Sequence, residues 1–395
     1  MDSPNQLSNK SFFKYIITLL GIGIVFYLAI HFGKKYKVSQ KTKKVTAFYN
    51  QFTDEEYIDF AKQLETSINT HNPTLFDNSV NIASFLNFSN RELTQSYHKR
   101  QATKIIGSYI KIGSILVDQI DNDGDFKFTR FYKENGIPHI IFRIYRVDFV
   151  NFMDFKVGIQ NSKFVLEDSY NFFSGIIMSK IISDIYNKAI NQNKQAISNL
   201  NSYENINYQL QSFQYQEAYE LLLTIPEKNR DAIYHQFLLI TTLNLDDEKF
   251  KSTIAEAKKL NPNDEKFHSY LNFQKSILEG DLNQLNKTIK ILQQHVGEDP
   301  IFDLYRGIMY YYNLEYDKAI PFFDRVMTTM PSFYDGYYYK LYTLLLQEKT
   351  NDALNLVATM NDNLFLDEEE LELNLADFED FTSSKAYKTI FNDSE

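Results

Sequence analysis

Hydrophobic positions in the second half of the chain recur with a long period. Ala319 and Ala353 lie 34 residues apart, each inside a matching frame of apolar and small residues. One frame runs Gly307, Tyr310, Tyr316, Ala319, Phe323, Val326, Pro331; the other runs Leu341, Leu344, Thr350, Ala353, Val357, Met360. Such a period predicts a helix-pair solenoid, in which each unit buries its face only against the next. Between about residues 45 and 195 the pattern is different. Tyr57, Phe60, Ala61 and Leu64 make one helical stripe behind Thr53 and Glu56, which are spaced as a capping box. Further helices are expected near 73–86 and 91–112. The period then drops towards two. "SILVDQI", "FKFTRFY", "HIIFRIYRV", "NFMDFKVGI" and "KFVLEDSYNFF", separated by "DNDGD", "ENGIP" and "QNS", predict five antiparallel strands joined by tight turns. A helix over roughly Gly175–Ser198 leads into the repeats.

The repeat resembles the tetratricopeptide (TPR) family. That resemblance rests on the small residues Gly307, Ala319 and Ala353 and on the exit proline Pro331. Earlier copies are "NINYQLQSFQYQEAYELLLTIP", with Tyr215, Ala218 and Pro226, and "DAIYHQFLLITTLNLDDEKFKSTIAEAKKLNP". A third, "FHSYLNFQKSILEGDLNQLNKTIKILQQ", lies between them and the frames above. Leu285 and Phe250 stand where the family wants a small residue, so the early copies are degenerate. Roughly five units run from about residue 200 to 360. The middle region, helices first and then a meander, is similar to the NTF2-like (cystatin-like) α+β cone. The resemblances imply a TPR-like groove that holds a protein or peptide, and a cone that hosts either a small enzyme or a binding module.

An uncharged run, Tyr15–Phe32, is long enough to cross a bilayer: eighteen helical residues rise about 27 Å. Six lysines follow it in 33–44 against Lys10 and Lys14 before it, which favours the bulk of the chain in the cytoplasm of a bacterial inner membrane. The periplasm is the alternative. The expected order is a tail (1–14), a transmembrane helix (15–32), a basic linker (33–44), an α+β domain (45–198), helical repeats (199–361) and an acidic segment (362–395). The fold class is therefore multi-domain, α plus α+β.

The 395 residues carry a net charge of −10, which argues against nucleic acid as the partner. The absence of cysteine excludes disulfides, thiolate metal sites and cysteine nucleophiles. "DQIDNDGDF" fails as a calcium loop because Arg130 falls where a bidentate glutamate is needed, and reads as a hairpin turn. The seven histidines show no ligand spacing, and no nucleophile elbow occurs. Neither a catalytic residue nor a cofactor is expected. Candidate partner contacts on first helices are Tyr234, Gln236, Tyr270, Gln274, Arg306, Tyr312, Tyr339 and Lys340. Alternation along the second predicted strand puts Arg143 and Tyr145 on one face and Phe142, Ile144 and Arg146 on the other. A pocket using Arg143 or Arg146 with Asp168 and Tyr170 is one expectation; charge pairing on a solvated face, with Asp154 included, is the other. "DEEELELNLADFED" is expected to be a solvated helix face or a docking motif.

Overall fold

The computed structural model describes residues 48–89, 111–120, 124–146, 149–182, 194–364 and 366–392. Helix α1 (Asp54–Asn69) begins where Thr53 and Glu56 close their capping box: Glu56 N–H donates to Thr53 Oγ1 at 3.2 Å, and Thr53 N–H donates to Glu56 Oε2 at 2.7 Å. Its stripe of Tyr57, Phe60, Ala61, Leu64 and Ile68 is buried. Short helices α2 (Thr74–Ser79), α3 (Ile82–Ser89) and α4 (Ile112–Ile120) follow.

The five-stranded sheet is a simple antiparallel meander: β1 (Asp125–Glu134), β2 (Ile137–Arg146), β3 (Phe149–Gln160), β4 (Lys163–Asn171) and the two-residue β5 (Ile176–Ile177). Two hairpins turn on left-handed residues, Asn135 and Gly136 in one and Asn161 and Ser162 in the other. Consecutive positive φ values match the twist of the flanking strands.

Three expectations are corrected. "SILVDQI" is the helix α4, because Ile112, Leu116 and Ile120 repeat every fourth residue on one buried face, and burial overrides the β-branched composition. The link into β1 at Gly124 is therefore a helix-to-strand connection and not a hairpin turn. The stretch expected as a helix from Gly175 opens with the strand β5. All but the last two residues of the helix expected near 91–112, and the transmembrane segment 15–32, lie outside the described residues; among those described, no helix is long and apolar enough to cross a membrane.

The C-terminal region is a row of helix pairs: α5 (Lys194–Gln211) with α6 (Tyr215–Leu223), α7 (Ala232–Leu243) with α8 (Asp247–Leu260), and α9 (Glu265–Leu278) with α10 (Leu282–Val296). Two more pairs follow, α11 (Ile301–Tyr312) with α12 (Tyr316–Thr329) and α13 (Tyr334–Leu346) with α14 (Thr350–Leu364). Each helix packs mainly on its neighbours in sequence, the arrangement of a solenoid. Ala218, Ala319 and Ala353 are fully buried at the crossings. Gly307 lies so close to Phe323 that a Cβ there would come within 2.4 Å of the ring. The acidic segment closes the row: α15 (Glu368–Asn374), α16 (Glu379–Thr382) and α17 (Lys385–Asn392) bury Leu371, Leu375 and Tyr387 against α13 and α14. Leu371 and Leu375 are thus core, whereas Leu373 is exposed and Lys388 reaches Glu368 at 3.1 Å and also Glu372.

The sheet is covered on both faces. One face, with Phe126, Ile140, Phe142, Ile144, Met153 and Phe155, packs on α1, α2 and α4. The other, with Ile141, Tyr145, Val150, Phe152, Phe172 and Phe173, shares one core with α7 to α12. Phe152 stacks on Phe302 of α11 with ring centres 5.9 Å apart.

Candidate functional site

Aspartates stand at or near the start of four first helices: Asp231 and Asp264 cap α7 and α9, Asp299 precedes Pro300 and α11, and Asp335 lies in the first turn of α13. A carboxylate at a helix N-terminus accepts the free backbone N–H groups and faces the positive end of the macrodipole. Here each also takes a second side chain. Tyr203 of α5 donates to Asp231 at 2.8 Å, and Tyr170 of β4 donates to both oxygens of Asp264 at 2.8 and 2.9 Å. Arg143 donates to Asp299, and Tyr145 donates to Asp335. Three of the four therefore bind the sheet, one for each of the last three repeats. The signal was present in the sequence as aspartates at 231, 264, 299 and 335, near the repeat period; apolar periodicity alone did not reveal it.

Arg143 is fully buried between Asp299 and Asp125 of β1. Burial opposes its charge, but the two carboxylates outweigh it and hold the guanidinium protonated more firmly than usual. Asp154, one register step from Arg143 on the same face, pairs instead with Lys266 of α9 at 2.7 Å and with His139 Nδ1 at 2.9 Å, and accepts from Tyr132. Burial alone would raise the Asp154 carboxyl, yet His139 and Lys266 more than offset that and hold it below the usual carboxylate range. A carboxyl depressed in the folded state adds stability above its unfolded pKa, and that stability is lost as pH falls through the folded value. Acid is therefore expected to loosen this seam below about pH 4, read by near-ultraviolet dichroism of the tyrosines. Asp154→Asn should remove that acid-sensitive component and lower stability at neutral pH. An unchanged acid midpoint would assign the transition to another group.

The pocket expected from Arg143, Arg146, Asp168 and Tyr170 does not assemble. Arg143 and Tyr170 face the repeats, Arg146 is exposed, and Asp168 accepts from Ser179 at 2.6 Å (hydroxyl) and 3.0 Å (N–H). The face expected to be solvated is buried, because the repeats supply its apolar partners. Among the candidate partner contacts, Tyr270 is buried and donates to the Val150 carbonyl, and Gln274 donates to the Tyr270 hydroxyl at 2.6 Å. Tyr234 is buried under Arg230, and Gln236 is half-buried beside it. Arg306 holds Asn286 and Asp303; Tyr339 stacks on Phe323, and Lys340 pairs with Asp324 at 2.7 Å. Tyr312 alone of the set is widely exposed, at 68%.

A cleft of about 870 Å³ opens where β1 meets the last repeat. The end of α1 contributes Asn69 and His71, and β1 contributes Asp125 and Lys127. The α12–α13 turn supplies Met330 to Asp335, and the α14–α15 junction supplies Leu364, Asp367, Glu370 and Leu371. The strand edge behind it is closed. The Asn69 side chain pairs with Phe126 N–H and C=O at 3.0 and 2.8 Å as a strand would, and Phe128 N–H donates to Glu65 at 2.7 Å. Among the described residues no group of three or more His, Asp or Glu is placed to hold a metal ion.

No protein-family model, no curated protein and no solved structure matches this chain.

Proposed function

We propose that the chain is a membrane-anchored, non-catalytic adaptor that binds a protein or peptide partner. In this reading the helix pairs are TPR-like repeats and the sheet domain is an NTF2-like module. The 15–32 segment holds the molecule at a bacterial inner membrane with the bulk in the cytoplasm. The observation that carries the reading is the cleft. The first helices α9 and α11 and the start of α13 pack on the chain's own sheet, and the partner's place is the gap of about 870 Å³ between β1, α13 and α15. A volume of this order accommodates a short peptide stretch or a few anchoring side chains. The alternative, an enzyme or small-ligand site inside the cone, draws no support from the sheet, whose two faces are filled by phenylalanines and by the repeats.

The test is co-purification from detergent extracts with the tagged full-length chain. Tyr338, half-buried on the cleft wall, is replaced by alanine, and Tyr312, outside the cleft, serves as the comparison. A partner lost with Tyr338→Ala and kept with Tyr312→Ala is the expected result. Equal recovery from both would remove the cleft as the partner site. Deleting the repeats outright is the poorer experiment, since it uncovers Phe152, Phe172 and Phe173 of the sheet.

A further inference from the structure

Resting on the adaptor reading above, we propose that the cleft receives a lysine- or arginine-bearing peptide segment of the partner. Four carboxylates line it: Asp125, Asp335, Asp367 and Glu370. Arg143 pairs with Asp125 and with Asp299 behind it. Asp335 accepts from the Tyr145 phenol, and Asp367 accepts from Glu370 N–H. Glu370 is exposed and makes no ion pair among the described residues. On the opposing side, Lys127 is engaged by Glu65 at 2.8 Å. Behind the cleft, residues 350–384 carry no lysine or arginine, and Lys388 beyond them is engaged by Glu368 and Glu372.

The walls suit the same ligand. Tyr334 and Tyr338 stack with ring centres 5.8 Å apart and an interplanar angle of 17°, and Phe333, Leu364 and Leu371 flank them. Aromatic faces beside carboxylates attract an ammonium or guanidinium, and the apolar flank covers its methylene stem. An acidic segment would meet like charge from α15, and an uncharged apolar one would leave the carboxylates desolvated without a counter-charge.

The experiment measures fluorescence polarisation of a labelled lysine–serine peptide added to the full-length chain in detergent, beside a glutamate–serine peptide of the same length. The lysine peptide should bind preferentially and weaken as salt rises. Glu370→Lys, an exposed change that leaves the core untouched, should reduce affinity about fivefold or more. Tyr338→Leu should reduce it several-fold, with the thermal midpoint measured in parallel. Glu379→Lys with Asp380→Lys, on the same acidic segment but outside the cleft, should leave it unchanged. The inference is overturned if the two peptides bind alike, or if the outside pair weakens binding as much as Glu370→Lys does. A protein partner lost with Tyr338→Ala, together with no binding of the lysine peptide, would keep the adaptor and discard its cationic ligand. Cleft-dependent peptide binding with no Tyr338-dependent partner would keep the cationic site and discard the adaptor.

Discussion

Arg143→Ala is expected to lower unfolding free energy by about 3–5 kcal/mol, the cost of leaving a buried charge without its partner. The reason lies with Asp299, only 1% exposed, which would retain one hydrogen bond, from Ile301 N–H at 2.8 Å. Its burial already pushes that carboxyl upward, and Arg143 opposes the shift together with the Ile301 N–H. Denaturant titration followed by far-ultraviolet dichroism measures the loss. The double variant Arg143→Met with Asp299→Asn should recover more than half of it, since neither side chain then carries a charge and the asparagine oxygen still accepts from Ile301. A double variant no more stable than the single one would mean that packing, and not charge compensation, sets the cost.

Phe302→Ala should cost a similar amount, about 3–5 kcal/mol, through the cavity it leaves. The ring is fully buried, stacks on Phe152 of the sheet and meets Phe273 edge-on at 5.7 Å. The more telling consequence concerns cooperativity. One core joins the sheet to α7–α12, so both halves should unfold in a single transition that moves as a unit. The chain has no tryptophan, so Phe52→Trp, on the far side of the sheet, places a lone reporter there. In the Phe302→Ala background its fluorescence midpoint should shift with the helical signal. A tryptophan midpoint that stays in place while helicity is lost earlier would show that sheet and repeats unfold as separate bodies.

These two results bear on what could be read from the residues in order. Local rules carried α1, with its Thr53–Glu56 box and its four-residue stripe, because capping and amphipathic periodicity act within a few turns. They carried both hairpins, since Asn135–Gly136 and Asn161–Ser162 accept left-handed backbone, and the five helix pairs, since a repeat states its own period. They failed at α4, whose isoleucines and valine suit a strand until burial at every fourth position decides for a helix. Alternation placed Arg143 and Tyr145 together on one face, but no local signal could say what that face meets.

The sequence by itself determined the kinds of element, their order and the faces they must bury, because those follow from side-chain period and backbone preference. The tertiary structure alone decided that α9, α11 and the start of α13 are spent on the chain's own sheet. It also decided that Asp264, Asp299 and Asp335 would meet Tyr170, Arg143 and Tyr145 across more than ninety residues, and that an acid-lined cleft would remain beyond them. The physical reason is that a repeat fixes how each unit packs on the next, whereas what the row packs against depends on shape and charge brought together from distant parts of the chain.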